Sequence, residues 1–234
     1  MAFWFGKKKQ AKADATIAKE YRDWLDRFPK EPPERMALAR AAVDCFDACG
    51  PKKDLAQVDI QPLVEAASSP YKVVCETGAA LLVFLARTRS EAQDALRAMA
   101  TATTLAARFN AVGFLTHTLP EALRIEIIDM ALKDKSAKVR EKGIERAEGF
   151  GITSFLPQFE KMQASETNDA VRRSLEFHIP LLRDGYLLQP SSDGAGYFLI
   201  VRTSSALGGP YIPKELCTKE YIEKVVAEQY ARSH

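Results

Sequence analysis

The chain has 234 residues, 47% of them apolar and 27% charged, with a net charge of +2. That size and balance suit one substantial folded domain, with or without an appendage, and exclude wholesale disorder. Near-neutrality argues against a general nucleic-acid binder, and four cysteines in so long a chain argue against a disulfide-stapled scaffold.

The first twelve residues, MAFWFGKKKQAK, place Phe3, Trp4 and Phe5 ahead of Lys7, Lys8 and Lys9, with no acid among them. The apolar part precedes the charges and is short, unlike a secretory leader. Three readings stand side by side. The segment docks at an anionic membrane surface, sits as a linear motif in a partner's groove, or frays.

Residues 13–54 read as N-terminal capping helices. Ile17, Tyr21, Trp24, Leu25 and Phe28 share one stripe of a helix over 13–28, and a second helix over 34–49 stops at Gly50-Pro51. Cys45 and Cys49 lie one turn apart in it. Two ligands begin a metal site, but zinc takes four, so small buried cysteines are expected and no metal is.

From residue 55 to 185 a phrase recurs. Val139-Arg140 in AKVREKG and Val171-Arg172 in DAVRRSL are 32 residues apart. Ala107-Arg108 lies 32 residues before the first of these, and Val74-Cys75 a further 33 before that. A fixed period of this size marks a repeat of small supersecondary units. Four residues into each phrase stand Gly78, Ala111, Gly143 and Leu175, three of them small, as close helix approach demands. Each phrase opens a helical pattern, with Val139, Gly143 and Ala147 on one face, and an apolar helix precedes each. Pro62, Pro120 and Pro157 fall near three of those starts. Thr88 to Glu91 and Thr118 to Glu121 fit a capping box, while Gly149, Gly151 and Gly185 provide stops. The longest apolar run, GAALLVFLA, is about half a membrane span, so a cytoplasmic setting is expected.

Over residues 55–185 the chain resembles the HEAT-repeat, armadillo-like family of α-solenoids. The resemblance rests on LPEALRIEIIDMALKDKSAKVREKGIERAEGFG and FLPQFEKMQASETNDAVRRSLEFHIPLL. It implies a mainly α fold, a right-handed α-solenoid of helix pairs. It also implies a ladder in which an acid six positions before each arginine stacks with it: Asp134 with Arg140, and Glu166 with Arg172. The upstream units depart from that pattern, with Ala102 six before Arg108, and Ser69 with Cys75. A non-enzymatic scaffold is implied, binding a protein partner on the concave side, which the second helix of each pair lines. Setting aside the core face leaves Lys138, Glu141, Lys142, Glu145 and Arg146 on one such helix, and Arg173 and Glu176 on the next. Mixed charge of this kind suits a protein partner better than a phosphate track.

Residues 186–234 change character. Tyr186–Gln189 and Tyr197–Thr203 read as a β-hairpin across PSSDGAG. A last helix over 218–231 would turn Tyr221, Ile222, Val225 and Val226 inward. The tail is either a cap on the last repeat or a small module.

No G-x-S-x-G, H-E-x-x-H or P-loop motif occurs, and His117 and His178 read as structural, so no catalytic residue and no cofactor is expected. Two rivals remain. A HEAT-like alkyl-base glycosylase would need a positive groove with aromatics and a carboxylate, yet both tryptophans, Trp4 and Trp24, precede the repeats. A repeat-containing lyase or small-molecule chaperone would use Cys75 or Cys217 as its nucleophile.

Overall fold

The structure is a computed structural model that describes residues 13–49, 59–202 and 210–233. The aromatic and basic segment 1–12 lies outside the described residues. Among those described, the chain is mainly helical, with eleven α-helices and one small antiparallel sheet. It divides into two compact units between Lys133 and Asp134. That point falls within the third expected helix pair, not at residue 185.

The first unit holds α1 (Ala13–Leu25), α2 (Pro33–Cys49), α3 (Gln61–Ala67), α4 (Lys72–Ala86), α5 (Ser90–Ala100), α6 (Leu105–Gly113) and α7 (Glu121–Leu132). Helix α1 ends three residues short of Phe28, because Pro29 disfavours helical geometry at the residue before it. The stripe persists past the end: the Trp24 and Phe28 rings still meet edge to face, with centroids 4.8 Å apart. Helix α4 is the centre of this unit. Eleven of its fifteen residues are buried, and it packs against α2, α3, α5 and α6. An apolar run with no polar face forms a helix that is covered on every side. Gly78 lets α4 lie directly on the end of α3, since a Cβ there would sit 2.3 Å from the Ala67 nitrogen. From the far side, Asn110 Nδ2 donates to the Ala67 and Ser69 carbonyls at 2.8 and 3.0 Å.

The second unit holds α8 (Ala137–Gly149), α9 (Leu156–Ser165), α10 (Asp169–Asp184), β1 (Tyr186–Pro190), β2 (Gly196–Val201), β3 (Tyr211–Pro213) and α11 (Lys219–Ser233). Helix α8 closes with two reversed bonds, from Gly151 N to Glu148 O and from Ile152 N to Ala147 O, and Gly151 takes φ +69°. Gly185, at φ +79°, ends α10 in the same left-handed region. Gly149 is the last helical residue of α8 and makes no such turn. The sheet order is β1-β2-β3, all antiparallel. The β1–β2 hairpin forms where expected, but β2 ends at Val201, and Thr203, the expected end, lies outside the described residues. Strand β3 was not anticipated, because YIP is three residues long, follows Pro210 and ends in Pro213, a pattern that reads as loop. Leu199, Val201 and Ile212 form a small core with Ile222, Val225 and Val226 of α11. Tyr221 stays exposed, contrary to expectation: Ile222, Val225 and Val226 make the stripe, and Tyr221 lies about 100° off it.

Neither expected capping box forms. Helix α5 starts from Arg89, and Thr88 instead closes the preceding turn onto Leu85 O. Helix α7 starts from Pro120, and the Thr118 hydroxyl bonds Thr116 at 2.8 Å. Side-chain caps form elsewhere, on two of the second helices and on α11, where Thr218 accepts from Tyr221 N at 3.3 Å. Thr104 accepts from Ala107 N on α6, and Asn168 accepts from Ala170 N and Val171 N on α10. Asn168→Ala is expected to lower stability by about 1 kcal/mol, read from the denaturation midpoint. An unchanged midpoint would remove the cap's role.

Candidate interaction surface

Helices α4, α6, α8 and α10 begin after Tyr71, Thr104, Ser136 and Asn168. Each of these residues stands four before the second member of the recurring phrase: Cys75, Arg108, Arg140 or Arg172. Two of the arginines do the same thing. Arg108 Nη1 donates to the carbonyls of Ala102 and Thr103, both at 2.9 Å. Arg140 Nη1 donates to the carbonyls of Asp134 and Lys135 at 2.9 and 3.3 Å. In each case a guanidinium on the first turn of the helix collects main-chain oxygens six and five residues upstream. It pins the preceding loop against its own helix. The acceptor is backbone, so Ala102 serves as well as Asp134, and the departure noted in the sequence leaves this contact intact.

Arg140 reaches further. Its Nε and Nη2 each donate to one oxygen of Glu166 at 2.9 Å, a bidentate pair joining α8 to the turn between α9 and α10. Side-chain exposure is 17% for Arg140 and 9% for Glu166. Burial alone would push the Glu166 carboxyl up, but Arg140 and the amides of Asn168 and Thr167 together hold it below its ordinary value. The Asp134 carboxylate accepts from Ser136 N at 2.7 Å, a local turn that leads into α8. Of the four expected ladder residues, the structure brings Arg140 and Glu166 together. Arg172 pairs instead with Asp169 on its own helix, where both are exposed. After α10 the chain enters a sheet, so no further helix pair supplies Arg172 with a following acid.

Helices α8 and α10 pack against each other. Lys138, Glu145, Arg173 and Glu176 are exposed on them, while Glu141 and Lys142 are half-buried. Lys142 pairs with Glu145, one turn on. Arg146, on the same helix, is half-buried, and burial draws its guanidinium pKa down. One contact escaped sequence reasoning. Glu148 is buried on α8, and its Oε2 lies 3.4 Å from His178 Nδ1 on α10. The only signal was position, since Glu148 follows Ile144 by four on the inward stripe.

Cys45 and Cys49 are buried in α2, where Cys45 Sγ donates to Asp59 O at 3.3 Å. Contact with Cys49 and then burial push the Cys45 thiol up, and burial pushes Cys75 up. Both shifts disfavour the thiolate that a nucleophile or metal ligand requires. Among the described residues no three His, Cys, Asp or Glu side chains are grouped as a metal would need. No described helix is long and apolar enough to cross a membrane. No family model, curated protein or solved structure matches the chain.

Proposed function

We propose that the chain is a non-enzymatic interaction module. In this reading it is a HEAT-like α-solenoid that binds a protein partner through the mixed-charge outer faces of its second helices, as an adaptor, assembly factor or inhibitor. One observation carries the reading: the shared arginine hook of Arg108 and Arg140, repeated 32 residues apart with equivalent acceptors. A single helix pair cannot bury its own apolar faces, so repeats of this kind stack in a solenoid, and a solenoid presents one side to partners. The second helices of the second unit leave acids and bases interspersed outside the core. Such a pattern discriminates among protein surfaces, whereas a duplex calls for an unbroken positive track.

The test is affinity capture from the source lysate, with and without nuclease, comparing the natural chain with the double variant Lys142→Glu, Arg173→Glu. The expected result is a nuclease-resistant protein that the double variant fails to retain. The double variant should stay folded with a melting point a few degrees lower at most, since Arg173 is exposed while Lys142 is half-buried and gives up its pair with Glu145. Capture that vanishes with nuclease would overturn the reading in favour of DNA. A partner held equally by both forms would remove the second helices as its site.

A further inference from the structure

We infer that the outer face of the three-stranded sheet is a docking surface for a second copy of this chain. Side chains alternate between the two faces of a sheet. One face, with Leu188, Leu199, Val201 and Ile212, is covered by α11. The opposite face carries Leu187, Gln189, Phe198, Ile200, Tyr211 and Pro213, as the register places them. Gln189, Phe198 and Tyr211 form a single row across all three strands. Phe198 and Tyr211 are 45% and 43% exposed, and their rings meet edge to face at 5.7 Å. Tyr211 lies over Gly196, where a Cβ would sit 2.7 Å from the ring, so the aromatic pair is held against the sheet.

An antiparallel sheet with one solvated face normally alternates apolar with polar residues. Here the opposite face is apolar and aromatic as well, with Gln189, Phe198 and Tyr211 exposed and Leu187, Ile200 and Pro213 half-buried. None of the strand residues is charged, in a chain that is 27% charged. That absence selects the occupant. In a two-fold contact every side chain near the axis meets its own counterpart, so a charge there would face its like. A charge-free aromatic row is its own complement, whereas a charged partner surface would find nothing here to pair with. The patch is small. Three strands about 4.8 Å apart and roughly 17 Å long give a few hundred Å², below the ~800 Å² per partner of a stable interface. The dimer is therefore weak, with a Kd on the order of 10–100 µM.

Sedimentation of the full chain from about 5 to about 500 µM brackets that affinity. The natural chain should pass from a 26.0 kDa monomer to a species of twice that mass. Gln189→Glu and Phe198→Glu each bring a charge to the row and should weaken association by more than about tenfold, with the melting curve at low concentration unchanged. If Phe198→Glu fails to fold, Phe198→Ser, which removes the ring without adding charge, should give the same loss. A natural chain that stays monomeric throughout would overturn the inference. A dimer that Gln189→Glu and the Phe198 variant leave intact would also overturn it, since the contact would then lie elsewhere.

Discussion

Arg140→Met is expected to destabilise the protein by about 1.5–3 kcal/mol, the cost of leaving a half-buried carboxylate without its charged partner. Glu166 is 9% exposed and holds Arg140 through both oxygens, so the variant strands one negative charge in a place that water barely reaches. Replacing both members, Arg140→Met with Glu166→Leu, should recover much of the loss, because the desolvated charge disappears along with the pair. The pH dependence distinguishes this from a packing defect. In the natural chain the Glu166 carboxyl lies below its ordinary value of 4.5, so the stability it contributes is present above that value. It is lost as pH falls through the lower folded value. Without Arg140, burial acts with less opposition and pushes the carboxyl up. Protonation then relieves the variant, and its deficit relative to the natural chain should shrink as the pH is lowered. Urea titrations of the three forms across neutral and acid pH would show this. A deficit that stays constant with pH, or one under about 1 kcal/mol, would mean that Glu166 is better solvated than its burial implies.

The arginine also shows where sequence reading succeeds and where it stops. The spacing of Arg108 and Arg140 made the repeat legible, because period depends only on residue order. What the arginines hold was not legible. The pattern of acids pointed to Asp134 and Glu166 as side-chain partners at six residues' distance, but the oxygens six residues back are main-chain ones, which any residue supplies. Helix caps failed for a related reason. Thr88 and Thr118 satisfy the spacing of a capping box, yet turn geometry starts those helices one or two residues later. Thr104 and Asn168, the working caps, lack the downstream acid that would have flagged them. Strand β3 is defined by its neighbour, since Tyr211 and Ile212 find partners only once β2 is in place. Local patterns foretold the elements. Partners supplied by distant backbone did not show in them.

Gly78→Ala is expected to be among the most damaging single-methyl additions in this chain, at about 3 kcal/mol or more, although alanine is the better helix former by about 1 kcal/mol. The new Cβ would lie 2.3 Å from Ala67 N and 2.6 Å from both the carbonyl carbon and the Cβ of Ala66. Two of those three atoms are backbone, so no rotamer change relieves the clash. Nor can the end of α3 simply withdraw, because Asn110 grips the Ala67 and Ser69 carbonyls from α6. Moving α3 away from α4 would break both bonds and leave a buried amide unsatisfied. Gly113→Ala supplies the contrast within the same unit. Nothing lies within 4 Å of a Cβ there, and the backbone is not left-handed. That substitution should be neutral or stabilising by about 0.4–1 kcal/mol, through the reduced freedom of the unfolded chain. The denaturation midpoint should therefore fall steeply for Gly78→Ala and stay level or rise for Gly113→Ala. Equal shifts would mean that α4 does not rest on α3 through Gly78, and that the small residue belongs to helix propensity alone. A large loss at Gly78 beside none at Gly113 makes the α3–α4 contact the point where a missing side chain sets the distance between helices.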